Sequence, residues 1–159
     1  MTFYAHFASR TALMGALIEQ LDELLERTGS PIQRPSSAEL IAVVREGARS
    51  GIEAWLRERA DHWPDIKPYL MSALEAATVD PELRGPVDQW FESAINDIEE
   101  GLNQADRFDP ADRHMRAFLA FSEFDAVARR WMRRGWEKTD PEVALSLLAD
   151  SWVHGALVS

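Results

Sequence analysis

Apolar residues recur at intervals of three and four along most of the chain, and proline or glycine marks each break. This pattern predicts a string of amphipathic helices. No segment alternates with a period of two, so the expected fold class is all-α. The first long helix is expected to start after Ser9, a suitable N-cap, and to stop at Gly29. It carries Leu13, Leu17, Leu21 and Leu24 on one stripe, with Glu19, Gln20, Asp22, Glu23 and Glu26 mainly elsewhere. Ser30 to Pro35 is a loop, and Ser36 with Glu39 makes a capping box. The helix that follows is expected to bury Leu40, Val44, Ala48, Ile52, Trp55 and Leu56, and to close at Trp63-Pro64, because a residue before proline avoids helical backbone angles.

Pro64 and Pro68 are then expected to open a short helix with Tyr69, Leu70, Ala73, Leu74 and Ala77 inward. Asp80-Pro81 reads as an N-cap with proline at the first helical position. Gly85-Pro86 interrupts, and a helix with Val87, Trp90, Phe91, Ala94, Ile98 and Leu102 on one face follows. Asp109-Pro110 and Asp140-Pro141 repeat the start signal for two last helices, about Pro110 to Arg134 and Pro141 to Val158. Both are apolar on more than one side, and such a helix must be covered on more than one side. Phe124, Val127, Trp131, Leu148, Trp152 and Ala156 are the expected contacts with a second copy, in a two-fold four-helix bundle. The alternative is that helices of the same chain cover them.

Composition narrows the function classes. The 159 residues suit one domain, and no apolar run is long enough to span a membrane. The start has neither the basic region nor the apolar run of a signal peptide. Cysteine is absent, which removes disulfides and thiol chemistry and makes a cytoplasmic location the simplest expectation. A net charge of −10 does not suit gripping a phosphate backbone. No nucleotide-binding loop, nucleophile elbow or zinc-helix motif is present, so an enzyme is not expected, nor is a cofactor. Asp61, His62 and Asp65 bring two carboxylates and an imidazole together, but the proline between them disfavours a convergent metal site. Arg129, Arg130, Arg133, Arg134 and Lys138 form the densest positive cluster. Cations at a helix C-terminus explain it better than a nucleic-acid patch.

The run Thr2-Phe3-Tyr4-Ala5-His6-Phe7-Ala8-Ser9-Arg10, followed by Leu13, resembles the end of the DNA-recognition helix of TetR-family transcriptional regulators and the start of the next helix. The Asp80-Pro81-Glu82-Leu83 segment is similar to one in many sensor domains of that family, and the Trp- and Phe-lined helices look like EthR-type members. The resemblance implies that residues 1–9 are a remnant of the recognition helix of a helix-turn-helix. Residues 10–159 would be a ligand-binding and dimerisation domain, with most of the reading head missing. It also implies that Thr2, Tyr4, His6 and Arg10 are remnant contacts to a DNA backbone, which position rather than specify. Operator binding would then belong to a full-length form only.

A ligand cavity is expected among Trp55, Trp63, Tyr69, Leu70, Leu74, Trp90, Phe91, Phe118 and Phe121, which project from the inward faces of separate helices. Asp125 shares the helical angle of Phe118 and Phe121, so it needs a partner, either a ligand group or a side chain such as Tyr69. The effector would be small and apolar or amphipathic. The resulting expectation is a homodimeric, ligand-responsive transcriptional regulator of the repressor class. The rivals are a helical binding or carrier module without DNA, a truncated dimerisation antagonist, and a metal enzyme using Asp61, His62 and Asp65.

Overall fold

A computed structural model describes Ala12, Gly15, Ala16, Glu19 and residues 38–158, and contains no strand among them. Five helices follow in order: α1 (Ala38–Glu46), α2 (Arg49–Val79), α3 (Arg84–Gln104), α4 (Pro110–Arg134) and α5 (Pro141–Ser151). A 3-10 turn, Pro81–Leu83, precedes α3, and a π-helical turn, Trp152–Ala156, extends α5. The expected all-α class is therefore observed. Ala12, Gly15, Ala16 and Glu19 are helical. The Leu13 to Leu24 stripe, the Ser9 cap, the Gly29 stop, the Ser36 half of the capping box and the remnant segment 1–9 lie outside the described residues.

Three starts follow their sequence signals. Asp80, Asp109 and Asp140 each accept a hydrogen bond from the backbone N–H two residues on, at 2.9–3.0 Å. Each stands directly before a proline whose missing N–H would have had no helical partner anyway. Helix α4 ends at Gly135, where φ is 65° and the backbone N–H donates to the Trp131 carbonyl. Gly85-Pro86 does not interrupt a helix. It lies in the first turn of α3, where proline is tolerated.

Two expected boundaries are corrected. The helix read from Ser36 to Trp63 breaks at Gly47-Ala48, with Gly47 at φ 67°. Arg107, from the loop between α3 and α4, makes that end: its guanidinium donates to the carbonyls of Val44 and Arg45 at 2.6 Å each. A Cβ on Gly47 would stand 2.5 Å from this guanidinium. Further on, Trp63-Pro64 closes nothing. Helix α2 runs 31 residues through Pro64 and Pro68. Both prolines are exposed, so the carbonyls they leave without a helical donor lie on the wet side of the helix. The other side carries a stripe at helical spacing, Ile52, Trp55, Leu56, Arg59, Trp63, Ile66, Leu70, Ala73 and Ala77, all buried. That burial outweighs the local cost of the prolines.

Helix α1 lies on α3 so closely that Gly101 has no room for a side chain. Helix α5 runs antiparallel to the first half of α2, because Arg49 pairs with Asp150 and Arg57 with Glu142. Between α3 and α4 the chain turns through Asp106 and Phe108, at φ 48° and 63°. Buried Arg113 pins that turn by donating to the carbonyls of Arg107 and Phe108 and to the side chains of Asn103 and Asp106. A chain of rings fills the centre. Trp152 stacks on Trp55, Trp55 meets Phe124, and Phe124 meets both Trp63 and Phe121, with centroids 5.7–6.1 Å apart.

Candidate functional site: a cleft between three helices

Helices α2, α3 and α4 meet around a small apolar cleft. Its walls are Trp63, Ile66 and Leu70 from α2, Phe91 from α3, and Phe121, Phe124, Ala128 and Met132 from α4. Two charged side chains also line it, Arg59 and Asp125. The cavity measures about 30 Å³, which admits water but no drug-sized molecule.

Arg59 is 1% exposed. It stands on the apolar stripe of α2, four residues before Trp63, so burial is imposed by helical register. Its guanidinium lies 5.6 Å from the Trp55 ring centroid and within 3.3–3.4 Å of Glu58 and Glu39 oxygens. Burial nevertheless lowers its pKa, because the charged form is deprived of water. Half-buried Asp125 shows the complementary effect. Burial pushes its carboxyl above the usual range, and Arg129 pulls it back. The Arg129 Nε sits 2.8–3.0 Å from the two Asp125 oxygens. The same guanidinium lies 5.2 Å from the Phe91 ring centroid. The Asp125–Arg129 pair thus closes one edge of the cleft. Asp125 takes its partner from the next turn of α4 rather than from Tyr69.

The structure brings part of the expected pocket together. Trp63, Leu70, Phe91, Phe121 and Asp125 line the cleft. Trp55 is buried one ring further in, and Tyr69 and Leu74 pack on the core without lining the cleft. Phe118 points the other way and is 45% exposed. The side chain of Trp90 lies outside the described residues, as do Thr2, Tyr4, His6 and Arg10. Arg59, Ile66, Ala128 and Met132 were not anticipated. The signal for Arg59 was present in the register Ile52, Trp55, Leu56, Trp63, but ending the helix at Pro64 hid the continuation through Ile66 and Leu70.

The expected interface residues are also relocated. Phe124, Leu148, Trp152 and Ala156 are buried in the chain's own core. Val127 and Trp131 are half-buried against it. The reason is that α4 is covered on its two apolar sides by α2 and α3 and by the π turn. Trp152 is wholly enclosed and donates its indole N–H to the Ala120 carbonyl at 3.0 Å. The large apolar side chains that α4 and α5 leave exposed are Met115, Phe118, Leu119, Val143 and Leu147.

Asp61 and Asp65 are exposed and His62 is half-buried on α2. No group of three or more metal-binding side chains converges among the described residues. No helix among them is long and apolar enough to cross a membrane. Comparison with protein-family models, with curated proteins and with solved structures finds no match.

Proposed function

We propose that the chain is the ligand-binding and dimerisation part of a TetR-type, ligand-responsive transcriptional regulator, a repressor acting in the cytoplasm. The observation that carries this reading is the cleft, an apolar space between three helices with charged side chains at two fixed points. Small-molecule sites in helical proteins have this make-up. The effector is a small apolar or amphipathic molecule. The cleft is far smaller than such a molecule, so entry must push α2, α3 and α4 apart. Occupancy and helix packing are then linked, and a ligand that prefers the open packing shifts the balance. In a form with a helix-turn-helix ahead of this domain, the shift would change the spacing of two reading heads on an operator.

That mechanism requires a homodimer. Met115, Phe118 and Leu119 recur at helical spacing on α4, and Val143 and Leu147 on α5. Large exposed apolar side chains grouped in this way mark contact surfaces. Sedimentation equilibrium of the chain at micromolar concentration should give the mass of a dimer. The double variant Phe118→Glu, Leu147→Glu should give a monomer with unchanged helical circular dichroism. A monomeric wild type would overturn the regulator reading and leave a helical carrier module without DNA. A dimer undisturbed by both substitutions would place the interface elsewhere.

A further inference from the structure

A mainly cationic groove adjoins the cleft. Beyond the Asp125–Arg129 pair, a surface groove of about 470 Å³ is lined by Asp125, Ala126, Arg129, Arg130, Arg133 and Arg134. Asp125 lines both the groove and the cleft, so the two adjoin across that side chain. Four cations around one carboxylate stand out in a chain of net charge −10. Two of the four are engaged: Arg129 with Asp125, and Arg130 with Glu137 at 3.9 Å. Arg133 and Arg134 are exposed and make no ion pair among the described residues. The helix dipole accounts for cations in the last turn of α4. It does not account for Arg129, which lies more than a turn further in and spreads its guanidinium over a wall residue of the cleft.

We propose that groove and cleft are one site for an anionic amphiphile, a molecule with a carboxylate, sulfate or phosphate at one end and an apolar body at the other. The inference rests on the effector reading above and adds the sign and position of the charge. The anion lies between Arg129 and Arg133, one turn apart on the same face of α4. The apolar body passes Asp125 and displaces Phe91, which is half-buried. Inside, it meets Trp63, Leu70 and Phe121, with Arg59 beyond as a second positive group. A cationic amphiphile would face the same arginines and be repelled.

The test is isothermal titration of the full chain with three probes of equal chain length, each below its micellar concentration: decanoate, decanol and decyltrimethylammonium. Decanoate should bind about tenfold more tightly than decanol, the effect of one charge-assisted hydrogen bond. The ammonium probe should bind most weakly. The Arg133→Gln variant, which removes a side chain with no observed ion pair, should bring decanoate toward decanol and leave decanol unchanged. An Ala128→Leu variant, checked for native circular dichroism, should weaken all three by filling the cleft. Equal affinities for decanoate and decanol, or tighter binding of the ammonium, would overturn the anionic inference and leave the effector cleft standing. Absence of binding by all three would overturn both.

Discussion

At Gly101 a methyl group has nowhere to go. Its Cβ would stand 2.6 Å from the Val44 Cβ and 2.9 Å from the Ile41 carbonyl oxygen. Both belong to α1, so neither can move without displacing that helix. Gly101→Ala should therefore destabilise the fold by about 1 to 3 kcal/mol despite the higher helix propensity of alanine. A urea midpoint at or above that of the wild type would contradict this contact. His114 presents a different case. Its Nδ1 lies 2.7 Å from Glu99 and its Nε2 3.1 Å from Glu92, so carboxylates on α3 hold both ring nitrogens of a residue on α4. Only the imidazolium can donate twice. Glu99 foremost raises its pKa above the ordinary 6.5. The folded value then exceeds the unfolded one. The stability this contributes is fully present below about pH 6.5 and is lost as pH rises through the folded pKa. Urea midpoints taken on either side of neutrality should show this fall, and His114→Gln should remove that part of it. An unchanged pH dependence in the variant would show that the bridge contributes nothing.

At the scale of elements, the sequence was legible wherever a local signal decided the outcome. The three Asp-Pro starts and both ends of α4 were read correctly, because an aspartate cap, a missing proline N–H and a C-terminal glycine act within a few residues. The end of α1 was not legible. It depends on Arg107, more than sixty residues away, bonding to the Val44 and Arg45 carbonyls. The continuity of α2 was missed for the opposite reason. Pro64 and Pro68 are strong local stops, and only the stripe from Ile52 to Ala77 overrides them. Pro64→Ala should accordingly stabilise the protein by about 1 to 2 kcal/mol, the gain of a helical hydrogen bond less the unfolded-state entropy that proline removes. A lower thermal midpoint in the variant would mean that the proline is needed for the path of α2.

For the whole molecule, the arrangement turns on which surface covers which. Phe124, Leu148, Trp152 and Ala156 were read as apolar correctly, but helical periodicity does not say whether a second apolar face meets the same chain or another copy. The folded chain encloses these four and leaves Met115, Phe118, Leu119, Val143 and Leu147 outside. The cleft was partly legible for a similar reason. Trp63, Leu70, Phe91, Phe121 and Asp125 were identified from their helical faces. The burial of Arg59 and the closing pair Asp125–Arg129 emerge only when three helices are brought together.

In the proposed regulator, filling the cleft repacks the helices of a dimer and so moves its N-terminal ends. Because the chain has no cysteine, Glu19→Cys accepts a single spin label at a described helical position ahead of α1. Double electron–electron resonance across the dimer, with and without decanoate, then reads the separation directly. One defined distance that shifts when decanoate is added is the expected result. The absence of any intersubunit distance, or the same distribution with the ligand bound, would contradict the account.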